Sequence, residues 1–272
     1  MHIEHVQHHG LPCLRLHADG ASALFALHGA HALSWIPVDG RERLFLSERS
    51  RFDGAAAIRG GVPVIFPQFG ERGVYPRHGF ARTMPWRPAG IEAGQVVFEL
   101  RDSERTAAWP HAFAARLRIA LSATRLAITL DVENTGAHAF DFTAALHTYL
   151  RVDDLAQAAV QGLQGCDYED NAGGGVLRRE DNYEVAFHGE VDRIYNDVVA
   201  PLVLVDGERQ LAIEHEGFPD CVVWNPGEQL AARIGDLAPG DWRRFVCVEA
   251  AAAMKPETLA PGEIWSGTQT LG

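Results

Sequence analysis

The chain has 272 residues, 47% of them apolar, and carries 36 acidic against 24 basic side chains, a formal net charge of −12. That balance excludes a surface built for nucleic acid or anionic membrane, so no nucleic-acid or membrane partner is expected, and any bound phosphate belongs to a small molecule. No run approaches the ~20 apolar residues of a membrane span, and the apolar fraction is ample for a large core.

Length alone allows two domains, but all-β sandwiches near this size commonly form one, so one domain over residues 1–272 is expected. The opening segment Met1-His-Ile-Glu-His-Val-Gln-His-His-Gly10 has neither a basic start nor an apolar signal core, so a cytoplasmic location is expected. Its histidines His2, His5, His8 and His9 lack a cysteine or a fixed acidic partner, and no metal is assigned to them. Strand-like runs follow at residues 14–16 and 23–27.

Next comes Arg59-Gly-Gly-Val-Pro-Val-Ile-Phe-Pro-Gln-Phe-Gly70, then Arg77-His-Gly-Phe-Ala-Arg82. Glycines and prolines bracket a short apolar run, which predicts tight loops joined by a strand. Three arginines and a histidine ride on those loops. Arginine is the side chain best shaped for a planar, multi-donor grip on phosphate or carboxylate, so the segment predicts an anion-recognising pocket.

Further strands are predicted at 96–100, 113–122, 125–133 and 139–152. Leu117, Ile119 and Leu121 alternate on one strand and Leu126, Ile128, Leu130 and Val132 on the next. Ala123-Thr124 between them reads as a hairpin turn. Residues 103–109 predict a short helix, capped by Asp102 or Ser103 and ended by Pro110. Residues 153–157 predict one more helical turn, and Asn171-Ala-Gly-Gly-Gly175 a loop.

In the run 139–152, period-two alternation puts Phe140, Phe142, Ala144, Leu146 and Leu150 on one face. His147 falls on the other with Asp141, Thr143, Tyr149 and Arg151, the mixed polar face of a ligand groove or simply of a wet surface. Asp192, in Val191-Asp-Arg-Ile-Tyr195, either orients a sugar hydroxyl or pairs with Arg193. Trp224-Asn-Pro joins a large aromatic to a turn, and the ring serves either as core or as a stacking face for sugar C–H groups.

Strands at 202–205, 211–216, 221–224 and 245–249 complete the pattern. Glu249 ends the apolar run Phe245-Val-Cys-Val-Glu249. If buried there, its carboxyl pKa rises and it becomes a general base suited to neutral pH; if the strand ends, it faces water.

Some chemistry is absent. Lys255 is the single lysine, so a Gly-Lys-Ser/Thr phosphate loop is missing, a Schiff-base lysine is not indicated, and no dinucleotide fingerprint follows a strand. Cys13, Cys166, Cys221 and Cys247 are widely spaced, which argues against a zinc knuckle or a disulfide scaffold. No cofactor is expected. The best reading is an all-β, antiparallel β-sandwich with few short helices.

Six segments, in order and spanning nearly the whole chain, resemble the hexose-6-phosphate mutarotases (glucose-6-phosphate 1-epimerases) of the aldose 1-epimerase superfamily. They are the 59–70 stretch, His78-Gly-Phe-Ala-Arg82, Leu146-His-Thr-Tyr-Leu150, Val191-Asp-Arg-Ile-Tyr195, Val223-Trp-Asn-Pro226 and Val246-Cys-Val-Glu249. The resemblance implies a galactose-mutarotase-like supersandwich with its site on a concave sheet face. It also implies an isomerase that interconverts the anomers of a hexose 6-phosphate.

By the same resemblance His147 is the acid that protonates the ring oxygen, and Glu249 the base that takes the anomeric proton. Asp192 holds sugar hydroxyls, His78 stands near the reacting end, and Arg59 and Arg82 distinguish phosphorylated from free hexoses. Arg77 occupies another substrate-contacting position, where the family usually has an uncharged polar residue. Gly227 stands where a second aromatic is expected, which bears on the wall around Trp224. Two alternatives stay open: the same chemistry on unphosphorylated aldoses, and a sugar-binding β-sandwich without catalysis.

Overall fold

Apolar alternation at period two dominates the chain, and the computed structural model, which describes residues 1–272, is built almost wholly of antiparallel strands. They form a four-stranded sheet from the first strands, an eight-stranded sheet and a nine-stranded sheet. Leu117, Ile119, Leu130 and Val132 of the nine-stranded sheet share one buried cluster with Leu146, Val246, Val248 and Ala250 of the eight-stranded sheet. Leu14, Leu16, Phe25 and Trp35 of the four-stranded sheet join the same cluster. This is the expected all-β sandwich. No helix is long and apolar enough to cross a membrane.

Each run predicted from alternation falls on a strand, except that the run 139–152 is two, Phe140–Leu146 and Tyr149–Arg151, broken at His147 and Thr148. The hairpin at Ala123-Thr124 forms, with Leu121 opposite Leu126 and the Ser122 N–H donating to the Arg125 carbonyl at 3.0 Å. Four other expectations need correction. The strand expected to end at Glu249 runs from Phe245–Leu259, ten residues further, because four alanines keep packing on the core and on the opposite face. The helix expected over 103–109 is a single 3-10 turn, Glu104–Thr106, with Ser103 as N-cap. Residues 153–157 likewise form only the 3-10 turn Leu155–Gln157, capped by the Asp154 side chain. A five-residue α-helix, Gly227–Ala231, occupies the Asn-Pro-Gly segment that reads as a turn.

Strands His2–His8 and Ile264–Leu271 escaped the alternation criterion because their apolar residues do not alternate: Ile3 and Val6 are three apart, and in the last strand Gly267 and Gln269 take buried positions while Ile264 is exposed. The latter is nonetheless central in its sheet, between Arg209–Glu216 and Leu126–Asn134, and its Thr268 hydroxyl pairs with that of Thr129 at 2.8 Å.

The eight-stranded sheet positions the chemistry. Along Phe245–Leu259, Val246, Val248, Ala250 and Ala252 face the core, while Phe245, Cys247, Ala251 and Ala253 belong to clusters on the opposite face. Glu249 therefore projects from that opposite face, as period-two geometry demands. Its partner Phe140–Leu146 shifts register between Phe142 and Ala144; from there that strand and Tyr149–Arg151 pair with it in one register, Leu146 opposite Ala250 and Tyr149 opposite Cys247. Continued across the two residues between these strands, that register puts His147 opposite Glu249. Directly opposed residues of an antiparallel pair are nearest neighbours on one face.

Candidate active site

His147, Glu249, Asp192, Trp224, His78, Arg59, Arg77 and Arg82 all line one cleft of about 610 Å³ over this face. Sheet register explains four of them. Asp192 lies opposite Trp224, Trp224 opposite Cys247, Cys247 opposite Tyr149, and Val222 opposite Glu249. The remaining four come from the segments around strand Val64–Ile65: Arg59, Arg77 and His78 from loops, Arg82 from the 3-10 turn Ala81–Thr83. There Gly61, at φ +61°, brings the chain so near Ala32 that a Cβ would sit 2.0 Å from its carbonyl oxygen. That close approach is open only to glycine and sets the start of the Arg59 arm.

His147 Nδ1 and Glu249 Oε1 are 3.3 Å apart, with Glu249 1% and His147 8% exposed. The contact is not aligned as a hydrogen bond, and neither His147 Nδ1 nor Glu249 Oε2 has a partner within the protein. Buried polar atoms are normally satisfied, so an unpartnered pair facing a cleft is suited to hydroxyls brought in by a ligand. Burial pushes the Glu249 carboxyl well above the usual carboxylate range, with Asp192 adding to the rise. Burial likewise pushes His147 well below the usual imidazole range, reinforced by His78, Arg59 and Arg82. The pair is thus close enough for an ion pair, yet loss of solvent favours its neutral form, one proton shared between two seats.

Aromatic rings fix the imidazole. Tyr149 stacks on it at 4.9 Å and 8°, while Trp224 and His78 meet it edge-on at 5.9 and 5.5 Å. His78 accepts the Gly70 N–H at Nδ1, 3.2 Å. Burial first, then Arg82, Arg77 and Arg59, holds its pKa down to about 3. A neutral His78 therefore carries its proton on Nε2 as a donor.

Asp192 accepts from the Asn171 side chain at 2.9 Å and not from Arg193, which pairs with buried Glu180 at 2.8 Å. Adjacent residues of a strand point to opposite faces, which decides between the two partners left open above.

The four arginines of the cleft differ. Arg59 donates to Asp236 at 3.0 Å and to the Tyr149 hydroxyl at 2.9 Å, and Arg72 pairs with Glu169. Neither Arg77 nor Arg82 has a carboxylate partner. Arg82 donates only to the Arg77 carbonyl, at 2.9 Å, and its Nε is buried without a partner. Burial pushes this guanidinium down to about 10. A half-buried cation without a carboxylate partner is a ready seat for an anion.

Sequence reasoning missed Arg72, Glu169, Asn171, Leu230 and Ile234, which also line the cleft. Their segments are loops, a short strand and the unforeseen helix, none with a motif. The helix also accounts for Gly227. At φ +60°, a Cβ there would lie 2.7 Å from the Glu190 backbone nitrogen, so an aromatic cannot stand in that position, and Leu230 and Ile234 form the nearby wall instead.

Only His147, Cys247 and Glu249 bring potential metal ligands together, within 4.8 Å of one another. The ligating form of cysteine is the thiolate, and burial holds the Cys247 thiol well above its ordinary value. The N-terminal histidines form no such group; His8 and His9 pack on Phe52.

A model of the Aldose 1-epimerase family matches residues 12–272. A provisionally named glucose-6-phosphate 1-epimerase from Cenchrus ciliaris is 36% identical over 260 residues, covering 90% of this chain and 79% of that protein. One of the same name from Escherichia coli (strain K12) is 37% identical over 249 residues, covering 87% and 82%. The crystal structure of a provisionally named mutarotase from Salmonella typhimurium is similar with a TM-score of 0.90 at 32% identity, covering 99% of this chain and 92% of that one. A galactose mutarotase related enzyme from Lactobacillus acidophilus shares the fold, with a TM-score of 0.77 at 15% identity, covering 95% and 96%.

Proposed function

The chain belongs to the aldose 1-epimerase family, and from that premise we infer that it is an isomerase interconverting the α and β anomers of a hexose 6-phosphate, glucose 6-phosphate foremost. The observation that carries the substrate is Arg82, half-buried with its Nε enclosed and no carboxylate partner, in the same cleft as the His147–Glu249 pair. A neutral sugar offers nothing to offset the desolvation of that guanidinium, whereas a phosphate dianion accepts two parallel hydrogen bonds from it. The relatives' names point to the same substrate.

In the proposed reaction Glu249 takes the proton of the anomeric hydroxyl as the C1–O1 bond becomes a carbonyl. The C1–ring-oxygen bond breaks, and His147 supplies a proton to the departing ring oxygen. Rotation about C1–C2 presents the other carbonyl face, and closure returns both protons with the roles exchanged. Opening leaves a protonated Glu249 beside a neutral His147, which is the distribution that burial favours. The two groups thus hold one proton in total both before and after opening. Asp192, oriented by Asn171, accepts from sugar hydroxyls, and the Trp224 ring covers the sugar's apolar face.

Polarimetry or exchange NMR on freshly dissolved α-glucose 6-phosphate, α-glucose and α-galactose tests the substrate. The phosphorylated sugar is expected to be converted with much the highest kcat/KM; acceleration of the free sugars alone would refute the assignment. Retention of the acid/base pair in one cleft disfavours a merely sugar-binding role.

The pH profile follows from the pair. A second proton enters only below the ordinary histidine value, because burial depresses His147. The single proton leaves only above the ordinary carboxylate value, because burial raises Glu249. The kcat/KM profile is therefore expected to be a plateau bounded by an acid limb below pH 6.5, the ordinary imidazole value, and by a distinct alkaline limb. Glu249→Gln should abolish the alkaline limb; its persistence in that variant would assign the limb to another group.

A further inference from the structure

We propose that Gln269 and Thr148 are positioning residues for the reaction. The buried Gln269 amide, reaching across the sandwich from the nine-stranded sheet, replaces a ladder hydrogen bond that the strand break beside His147 leaves unmade, and so fixes acid and base relative to each other. This rests on the acid/base reading of His147 and Glu249 given above.

Phe140–Leu146 and Tyr149–Arg151 flank the break, and continuing their register puts Thr148 opposite Val248. Residues facing each other in a hydrogen-bonded antiparallel pair exchange two N–H···O bonds. Here only one forms, from the Val248 N–H to the Thr148 carbonyl at 3.1 Å, because the Thr148 N–H turns back to the Leu146 carbonyl at 2.9 Å. The break is thus a three-residue turn centred on His147, whose own N–H donates to the Pro63 carbonyl at 3.0 Å. The Val248 carbonyl is left needing a donor inside the core, where an unmade bond is costly.

Gln269 supplies that donor. Its Nε2 donates to the Val248 carbonyl at 3.0 Å, and its Oε1 accepts from the Thr148 hydroxyl. One side chain therefore binds the residue after the acid and the residue before the base. Strand geometry places it for this: Gln269 lies opposite core residue Ile128, and both Gln269 and Thr148 are buried. The second amide hydrogen is available to half-buried His215, with Nε2 to Nε2 at 3.4 Å. Burial holds that imidazole down to about 4, so the ring is neutral and able to accept. A polar side chain so fully engaged inside an apolar cluster specifies one arrangement of the strands it joins.

The test compares Gln269→Leu, Thr148→Val, Thr148→Ser and His147→Ala in the full chain. Values of kcat and KM for glucose 6-phosphate and glucose are measured well below each melting midpoint, so that unfolded enzyme does not enter the rate. Gln269→Leu and Thr148→Val are expected to lower kcat about tenfold on both sugars, with KM changed less than about twofold, because the reacting pair is misaligned while the substrate contacts stay. Thr148→Ser keeps the hydroxyl and should retain most of kcat. The NMR signal of the His147 ring Cε1–H, identified by its loss in His147→Ala, should move in Gln269→Leu and hold its place in Thr148→Ser.

A wild-type kcat in folded Gln269→Leu, or an unmoved His147 signal in it, would overturn the proposal. So would a loss confined to KM for glucose 6-phosphate. If Gln269→Leu does not fold, the nearly isosteric Thr148→Val decides by the same criteria. Wild-type rates in His147→Ala would remove the acid/base reading and this inference with it, an outcome separable from the others.

Discussion

Glu249→Gln is expected to lower kcat for glucose 6-phosphate anomerisation by about 10²–10⁴-fold, the usual contribution of a positioned acid or base, while the fold persists. The amide keeps the carboxyl's shape and buried position but neither accepts a proton nor returns one. His147→Ala should lose a comparable factor, and because the two groups act on one proton inventory, the double variant should be little worse than either single one.

Stability separates this from simple damage. The folded carboxyl pKa is raised by burial, so wild type loses stability as pH rises above the ordinary carboxylate value and the unfolded chain ionises while the fold resists. Glu249→Gln escapes that loss, and its melting midpoint at pH 8 should equal or exceed wild type. Near-wild-type turnover in a folded Glu249→Gln would take the residue out of the mechanism. A lowered midpoint at pH 8 would refute the burial argument instead.

Arg82→Gln is the second large effect. Truncating one partner of a desolvated charge pair commonly costs about 2–5 kcal/mol, so kcat/KM for glucose 6-phosphate should fall by roughly 10²-fold or more, chiefly through KM. Free glucose, which makes no such contact, should change less than about threefold on the same reasoning. Matched substrate pairs make the comparison self-controlled: equal losses on both sugars would show that Arg82 supports the cleft's structure and not the phosphate. Arg77→Gln should show the same selectivity in weaker form, because Arg77 is exposed where Arg82 is half-buried.

Much of this was legible in the residues. Period-two alternation gave the strands that build the eight-stranded sheet's chemistry-bearing face, and it separated His147 and Tyr149 from Leu146 and Leu150 correctly. The arginine-rich loops were visible because glycine, proline and arginine together carry a local signal. What alternation cannot encode is which strand pairs with which. That His147 lies opposite Glu249, and Asp192 opposite Trp224, depends on register across segments about 100 and 32 residues apart in sequence, and only packing of the whole sandwich settles it.

Charge compensation was equally hidden. Arg59 and Arg82 look alike as sequence, yet Asp236 reaches one and no carboxylate reaches the other. The helix Gly227–Ala231 was obscured because Asn225 caps the preceding turn through its own side chain, accepting the Gly227 N–H and donating to the Trp242 and Phe245 carbonyls.

The shared register of His147 and Glu249 also bears on how such a protein diversifies. The proposed acid and base share one rung of the ladder, so a one-residue slip of either strand would turn one of them into the core and end that chemistry outright. The unpartnered arginines sit outside that ladder, on the segment between Gly70 and Arg82, where a change of side chain disturbs no sheet hydrogen bond. A substitution in that segment would thus alter which sugar is held while leaving in place the proposed acid/base pair, which the strand pairing sets.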